Sequence, residues 1–143
     1  MGIAVKLLVL DTHIWLWWIM QEIDRFPAHW STLIEEADQV LVSPVSCFEV
    51  ALACKRGRIQ LPCTAAEWIQ EALEPAGIEI APLTPVIACA ATALGEIHKD
   101  PFDRFIIATA LQLKATLLSV DGHFKHYPEL NGLLAEDSAG DRT

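Results

Sequence analysis

Four short runs of continuous apolar residues punctuate this chain: VKLLVL at residues 5–10, QVLVS at 39–43, GIEIAPL at 77–83 and TLLSV at 116–120. Runs of that length, with no sustained polar alternation, predict strands buried on both faces. The stretches between them carry helix start and stop signals. Asp11-Thr12 leads into HIWLWWIM, Pro27 opens AHWSTLIEEAD, and Ser43-Pro44 opens VSCFEVALACKRG, closed by Gly57. After a short extended segment at 58–62, Thr64 caps a helix through Leu73. Thr84-Pro85 begins VIACAATALGEI, and Asp100-Pro101 begins FDRFIIATALQLKA. The order β-α-α-β-α-α-β-α-α-β predicts an α/β fold with a central parallel sheet covered on both sides. Ligands of such sheets bind outside the carboxyl ends of the strands.

With 143 residues, one core suffices: a chain of this size buries roughly 70% of its unfolded surface. A single folded domain is expected over residues 1–135, followed by a polar, disordered tail at 136–143. The apolar run at 3–20 resembles a membrane span or signal segment, but Asp11 lies at its centre, where an acid costs roughly 2.5–3.5 kcal/mol. A cytoplasmic protein with no membrane partner is the expectation. Cys47, Cys54, Cys63 and Cys89 have no metal-ligand spacing and are expected to be buried, reduced thiols. The formal charge of −9 is an odd start for gripping a polyanion. Either the substrate is not nucleic acid, or bound cations or a basic partner offset the charge.

That choice turns on four acids. Asp11 and Asp121 follow the first and last strands, whereas Glu49 and Asp103 sit near the starts of helices that the topology aims at the same sheet end. Each has an ordinary structural explanation: Asp11 as a helix cap, Glu49 as a capping-box partner of Ser46, Asp103 as a first-turn acid and Asp121 as part of an Asp-Gly turn. Together they would converge on one small volume, where carboxylates repel unless a cation neutralises them. A hard dication, Mg²⁺ or Mn²⁺, suits oxygen-only ligands, and metal-assisted phosphodiester hydrolysis suits that arrangement.

The stretches LLVLDTHIWLWW, SPVSCFEVALACKRGRIQL, HKDPFDRFIIATAL and TLLSVDGHF resemble, in order and over nearly the whole chain, the blocks of PIN domains, specifically VapC-type toxins of bacterial toxin-antitoxin pairs. The resemblance implies a flavodoxin-like three-layer α/β/α fold, Mg²⁺- or Mn²⁺-dependent endoribonuclease activity, inhibition by a small antitoxin protein, and a homodimer. It assigns the four acids to Asp11, Glu49, Asp103 and Asp121, with Thr12 and Ser119 as supporting hydroxyls. The DPFD stretch offers Asp100 as well; Asp103 is favoured as ligand because it directly precedes the apolar run, with Asp100 as cap and support.

Lys55, Arg56 and Arg58 form the densest basic cluster, at a helix end where the dipole favours cations and where a phosphate could also be met. Arg104 could steer a phosphate or pair with Asp100. His13, His98 and His123 fall near the expected mouth without ligand spacing. Trp15, Trp17, Trp18, Trp30 and Trp68 could stack on bases, but they are expected to pack in helices, and any left at the surface would suit a partner interface. Two other functions compete: a PIN-type nuclease for RNA processing or DNA without an antitoxin, and a non-catalytic receiver or nucleotide-binding domain. The second lacks a GxGxxG, a P-loop and an evident strand-end lysine.

Overall fold

The computed structural model describes residues 5–95 and 100–137. The expected helix end at 96–97, His98 and the tail beyond 137 lie outside them. Four parallel strands, β1 (Leu7–Leu10), β2 (Gln39–Val42), β3 (Ile78–Ile80) and β4 (Thr116–Leu118), stand in the order β3-β2-β1-β4. Leu8 pairs with Val40, Val9 with Leu117, and Leu41 with Glu79. The strands are shorter than the apolar runs: β1 begins two residues into its run, and after β2, β3 and β4 the chain leaves the ladder for the next loop or helix.

Six helices accompany the sheet: α1 (Thr12–Ile19), α2 (His29–Glu36), α3 (Pro44–Lys55), α4 (Ala65–Glu71), α5 (Pro85–Ala93) and α6 (Pro101–Leu113). The two-residue period of a strand divides the core into two layers. Leu8 and Leu10 of β1 face a cluster containing Ile14, Trp15, Trp30 and Trp68 from α1, α2 and α4. Val9, between them, faces Ile106, Ile107 and Ala110 of α6. Helix α5 packs outside α6 through Ile87, Ala91 and Ala108. This is a three-layer α/β/α arrangement. Helix α3 serves both layers, Val50 on one side and Val45 on the other.

Tryptophans dominate the first layer, and the indole N–H of each of its three buried ones, Trp15, Trp30 and Trp68, has a partner. Trp15 donates to the Ala72 carbonyl at 2.9 Å, Trp30 to the Glu136 carbonyl at 2.9 Å, and Trp68 to the Met20 sulfur at 3.4 Å. Burying a donor without a partner would cost roughly 1–3 kcal/mol. The Trp30 bond ties Glu136, the first residue of the expected tail, to α2. Just before it, Leu134 bridges Leu117 on the outer side of β4.

The cysteines depart from expectation too. All four are free, but Cys47 and Cys54 are half-buried and Cys63 and Cys89 are exposed. Cys63 lies in the loop before the Thr64 cap, and Cys89 lies on α5, whose core-facing positions are Ile87 and Ala91. No described helix is long and apolar enough to cross a membrane.

Candidate active site

The chain steps outward from β1 to β2 to β3 and then returns to the other side of β1 for β4. Strand order therefore reverses between β1 and β4, and in open α/β sheets the crevice at such a reversal is where ligands bind. Asp11 stands at the end of β1. Its extended backbone makes it the N-cap of α1, with Oδ1 accepting the Thr12 N–H at 2.8 Å. Its other oxygen accepts from Ser119 Oγ, just beyond β4, at 2.7 Å. Ser119 Oγ in turn accepts the Asp121 N–H at 3.1 Å. One hydroxyl thus joins the acids that follow the neighbouring strands β1 and β4. Asp121 Oδ1 accepts the His123 N–H at 2.8 Å and lies 2.9 Å from His123 Nδ1.

Helix α3 begins with Ser43 as N-cap, accepting the Val45 N–H at 3.2 Å, and Pro44 at its first position. Glu49 therefore lies in the second turn, and its carboxylate is not the capping partner of Ser46. Instead Thr12 Oγ1 donates to Glu49 Oε1, and Ser46 Oγ lies 2.8 Å from the same Thr12 oxygen. Because the single Thr12 hydroxyl proton goes to the carboxylate, Ser46 must be the donor to Thr12. Ser46 and Glu49, three residues apart, share one helix face.

Helix α6 opens with Asp100 as N-cap, accepting the Phe102 N–H at 2.9 Å, and Pro101 behind it. Both acids of DPFD approach Glu49: Glu49, Asp100 and Asp103 can each present an oxygen within 4.8 Å of the others. Capping and membership of the acid group are thus compatible for Asp100. Asp11 and Asp121 line the same cleft, of about 350 Å³, without joining that tight trio.

The electrostatics tie the acids together. Burial first, and the charge of Asp121 second to it in the same sense, push the Asp11 carboxyl above its ordinary value against the Ser119 and Thr12 hydrogen bonds and His13. Glu49 is also raised, by burial and then by Asp11 and Asp100, against the Thr12 bond. Desolvation disfavours the charged form more than like-charge crowding does. A cation among these oxygens would favour ionisation, and the donor set, all carboxylate and no sulfur, fits a hard dication.

The basic residues divide. Arg56 lines a second cavity, of about 280 Å³, that shares Thr12, His13 and Glu49 with the acidic cleft. Lys55 is exposed at the end of α3. The Arg104 guanidinium reaches the end of α5: Nε donates to the Ala91 carbonyl at 3.1 Å, Nη1 to Gly95 at 2.9 Å and Nη2 to Leu94 at 2.8 Å. It satisfies the carbonyls that α5 leaves open at its end. Two further side chains join the site that the sequence did not single out for it: Trp17, which lines the cleft with the Arg25 guanidinium 5.5 Å from its ring centroid, and Ser46, which supports Thr12. For Ser46 the signal was present, as a hydroxyl one helical turn before Glu49. For Trp17 there was none, since nothing in HIWLWWIM separates the tryptophan at the cleft from those in the core.

Comparison with known proteins follows this geometry. A family model described as PIN domain matches residues 8–130. The chain is 33% identical over 120 residues to Ribonuclease VapC22 of Mycobacterium tuberculosis, covering 83% of this chain and 90% of that protein. Among solved structures, VapBC2 from Rickettsia felis bound to a DNA fragment from its promoter superposes with a TM-score of 0.65 at 19% identity, over 92% of this chain and 98% of that one. VapBC-1 from nontypeable Haemophilus influenzae gives 0.61 at 16% identity, over 92% and 98%.

Proposed function

This chain belongs to the PIN-domain family, and from that premise we propose that it is a divalent-metal-dependent endoribonuclease acting as the toxin of a toxin-antitoxin pair. The supporting observation is the gathering of Asp11, Glu49, Asp100, Asp103 and Asp121 on one cleft at the strand-order reversal. The named ribonuclease relative supports RNA as substrate, and the structural neighbours, which are VapBC pairs, support an antitoxin partner. A homodimer and a cytoplasmic location belong to the same reading.

In this reading Asp11, Glu49, Asp103 and Asp121 hold Mg²⁺ or Mn²⁺, with Asp100 beside them as cap and additional ligand. The ion, when bound, supplies a polarised phosphoryl oxygen and a coordinated water of lowered pKa. The chain's own residues set the stage. Ser119 and the Thr12 N–H fix the orientation of the Asp11 carboxylate, and the Ser46-to-Thr12-to-Glu49 relay fixes the other wall. Orienting hydrogen bonds of this kind typically contribute 10- to 100-fold to metal affinity or activity. Partial burial of the acids keeps competing water away and strengthens electrostatic interactions in the cleft. Arg56, with Lys55 near it, meets the substrate backbone, and Arg104 positions α6 by holding the end of α5.

The test is cleavage of unstructured RNA by purified protein in Mg²⁺, in Mn²⁺ and in EDTA. Cleavage is expected with either ion, with loss in EDTA and a fall of at least ~100-fold in Glu49→Gln. Undiminished cleavage in EDTA overturns the reading.

A further inference from the structure

The cavity beside the acidic cleft has a composition of its own. Where the cleft is walled by carboxylates, this cavity has an apolar floor of Leu16, Val50, Ile59 and Phe102, and Arg56 and Arg58 on its wall. Among the described residues, neither arginine side chain has a hydrogen-bond or ion-pair partner, in a chain that carries 19 acids to 10 bases. Placement at the end of α3 explains why cations are tolerated there. It does not explain why both line a cavity that opens, through Thr12, His13 and Glu49, directly onto the acids.

Helix geometry makes the connection continuous. Glu49, Ala53 and Arg56 follow the spacing of one helical face, so a single wall runs from acid to cation over about 10 Å of axis. A nucleotide with its flanking phosphate can bridge that span. The volume, about 280 Å³, lies just below the roughly 300–1,000 Å³ range of drug-sized sites, which leaves room for one base and not a stack. Phe102 supplies an aromatic wall, and its ring lies 5.3 Å from that of Phe48.

We propose that this cavity is a nucleobase subsite: it takes one unpaired base of the RNA next to the scissile phosphate, against Phe102, with Arg56 and Arg58 on the neighbouring phosphate. The inference rests on the ribonuclease reading above and adds to it the residues that meet the base beside the cut. A base held in a duplex could not enter, since recognition of this kind requires a splayed-out base. Aromatic stacking tolerates any base, so the subsite enforces strandedness before sequence.

The experiment is an abasic scan. A short unstructured RNA with a mapped cut site is synthesised with a single abasic ribose moved along it, and kcat/KM is measured in Mg²⁺ for the parent, Arg58→Ala, Arg56→Ala and Phe102→Leu. In the parent, the abasic site next to the cut lowers kcat/KM on the order of tenfold or more, and more distant ones change it little. Phe102→Leu flattens this profile, whereas Arg58→Ala and Arg56→Ala lower kcat/KM on every RNA and reduce its salt dependence. A parent that cleaves RNA with no dependence on the neighbouring base overturns the subsite while leaving the ribonuclease reading intact. Absence of metal-dependent cleavage of any RNA overturns the ribonuclease reading itself. Unchanged salt dependence and cleavage in both arginine variants, with loss of co-purifying antitoxin, would assign the cavity to the protein partner and overturn the proposal.

Discussion

The tryptophan layer and the acidic cleft meet at the start of α1, where Asp11 and Trp15 stand a few residues apart, and are built on opposite principles. In the first, Trp15 is fully buried, and its one polar atom has one neutral partner, the Ala72 carbonyl. In the second, Asp11 is nearly as buried, yet it stands within reach of Asp121 on one side and Glu49 on the other. The layer buries apolar area and closes its hydrogen bonds, so it stabilises by itself. The cleft holds like charges in a desolvated place, and the packing around it must offset that cost until a cation arrives.

The contrast can be broken most sharply from the apolar side. Trp15→Ala should cost about 3–5 kcal/mol in chemical denaturation, by the same amount with Mg²⁺ and with EDTA. A loss that depended on metal would mean the two regions are not independent. On the acidic side, Mg²⁺ at 100 times its Kd should stabilise the parent by about 2.7 kcal/mol, and Asp103→Asn much less. Equal Mg²⁺ shifts in thermal melts of both proteins would remove Asp103 from the ion's surroundings.

The smallest effect concerns pH in EDTA. Burial raises the Asp11 carboxyl above its ordinary 3.8, so folding opposes its ionisation. Stability from this group is fully present below pH ~4 and is lost as pH rises through the elevated native value. Asp11→Asn does not titrate. The parent should therefore lose ground to this variant as pH climbs from about 4, and a flat difference in denaturation free energy up to pH 8 would show that the buried charge carries no penalty.

Much of this was legible in the sequence because strand ends are legible. The apolar runs at 5–10, 39–43 and 116–120 contain three observed strands, and acids placed directly after two of them had to lie at one end of a parallel sheet. The two parts of Asp100 were legible as well, because it precedes Pro101 as a cap does and stands three residues before Asp103 on the same helix face; what capping spacing could not show is how closely its carboxylate approaches Glu49. The three bonds of Arg104 to carbonyls at the end of α5 were not legible either, since adjacency to Asp103 says nothing of a helix end ten residues back along the chain. The segment after Asp121 forms two short 3₁₀ turns, Phe124–His126 and Pro128–Leu130, that seat Phe124, Tyr127 and Leu130 in the second core layer. No helical or strand period announces so short a device.

The bond from Ser119 to Asp11 spans 108 positions of the chain. During synthesis, Asp11 leaves the ribosome early and waits for the last strand to arrive beside it. The β1–β2 pairing can form from the first third of the chain, but the crevice between β1 and β4 has only one wall until residue 119 is available. Contacts of such long sequence separation form late, since loop closure must come first. A chain made only as far as β3 therefore has no assembled cleft, and nuclease activity, on the reading above, waits for β4 and Ser119.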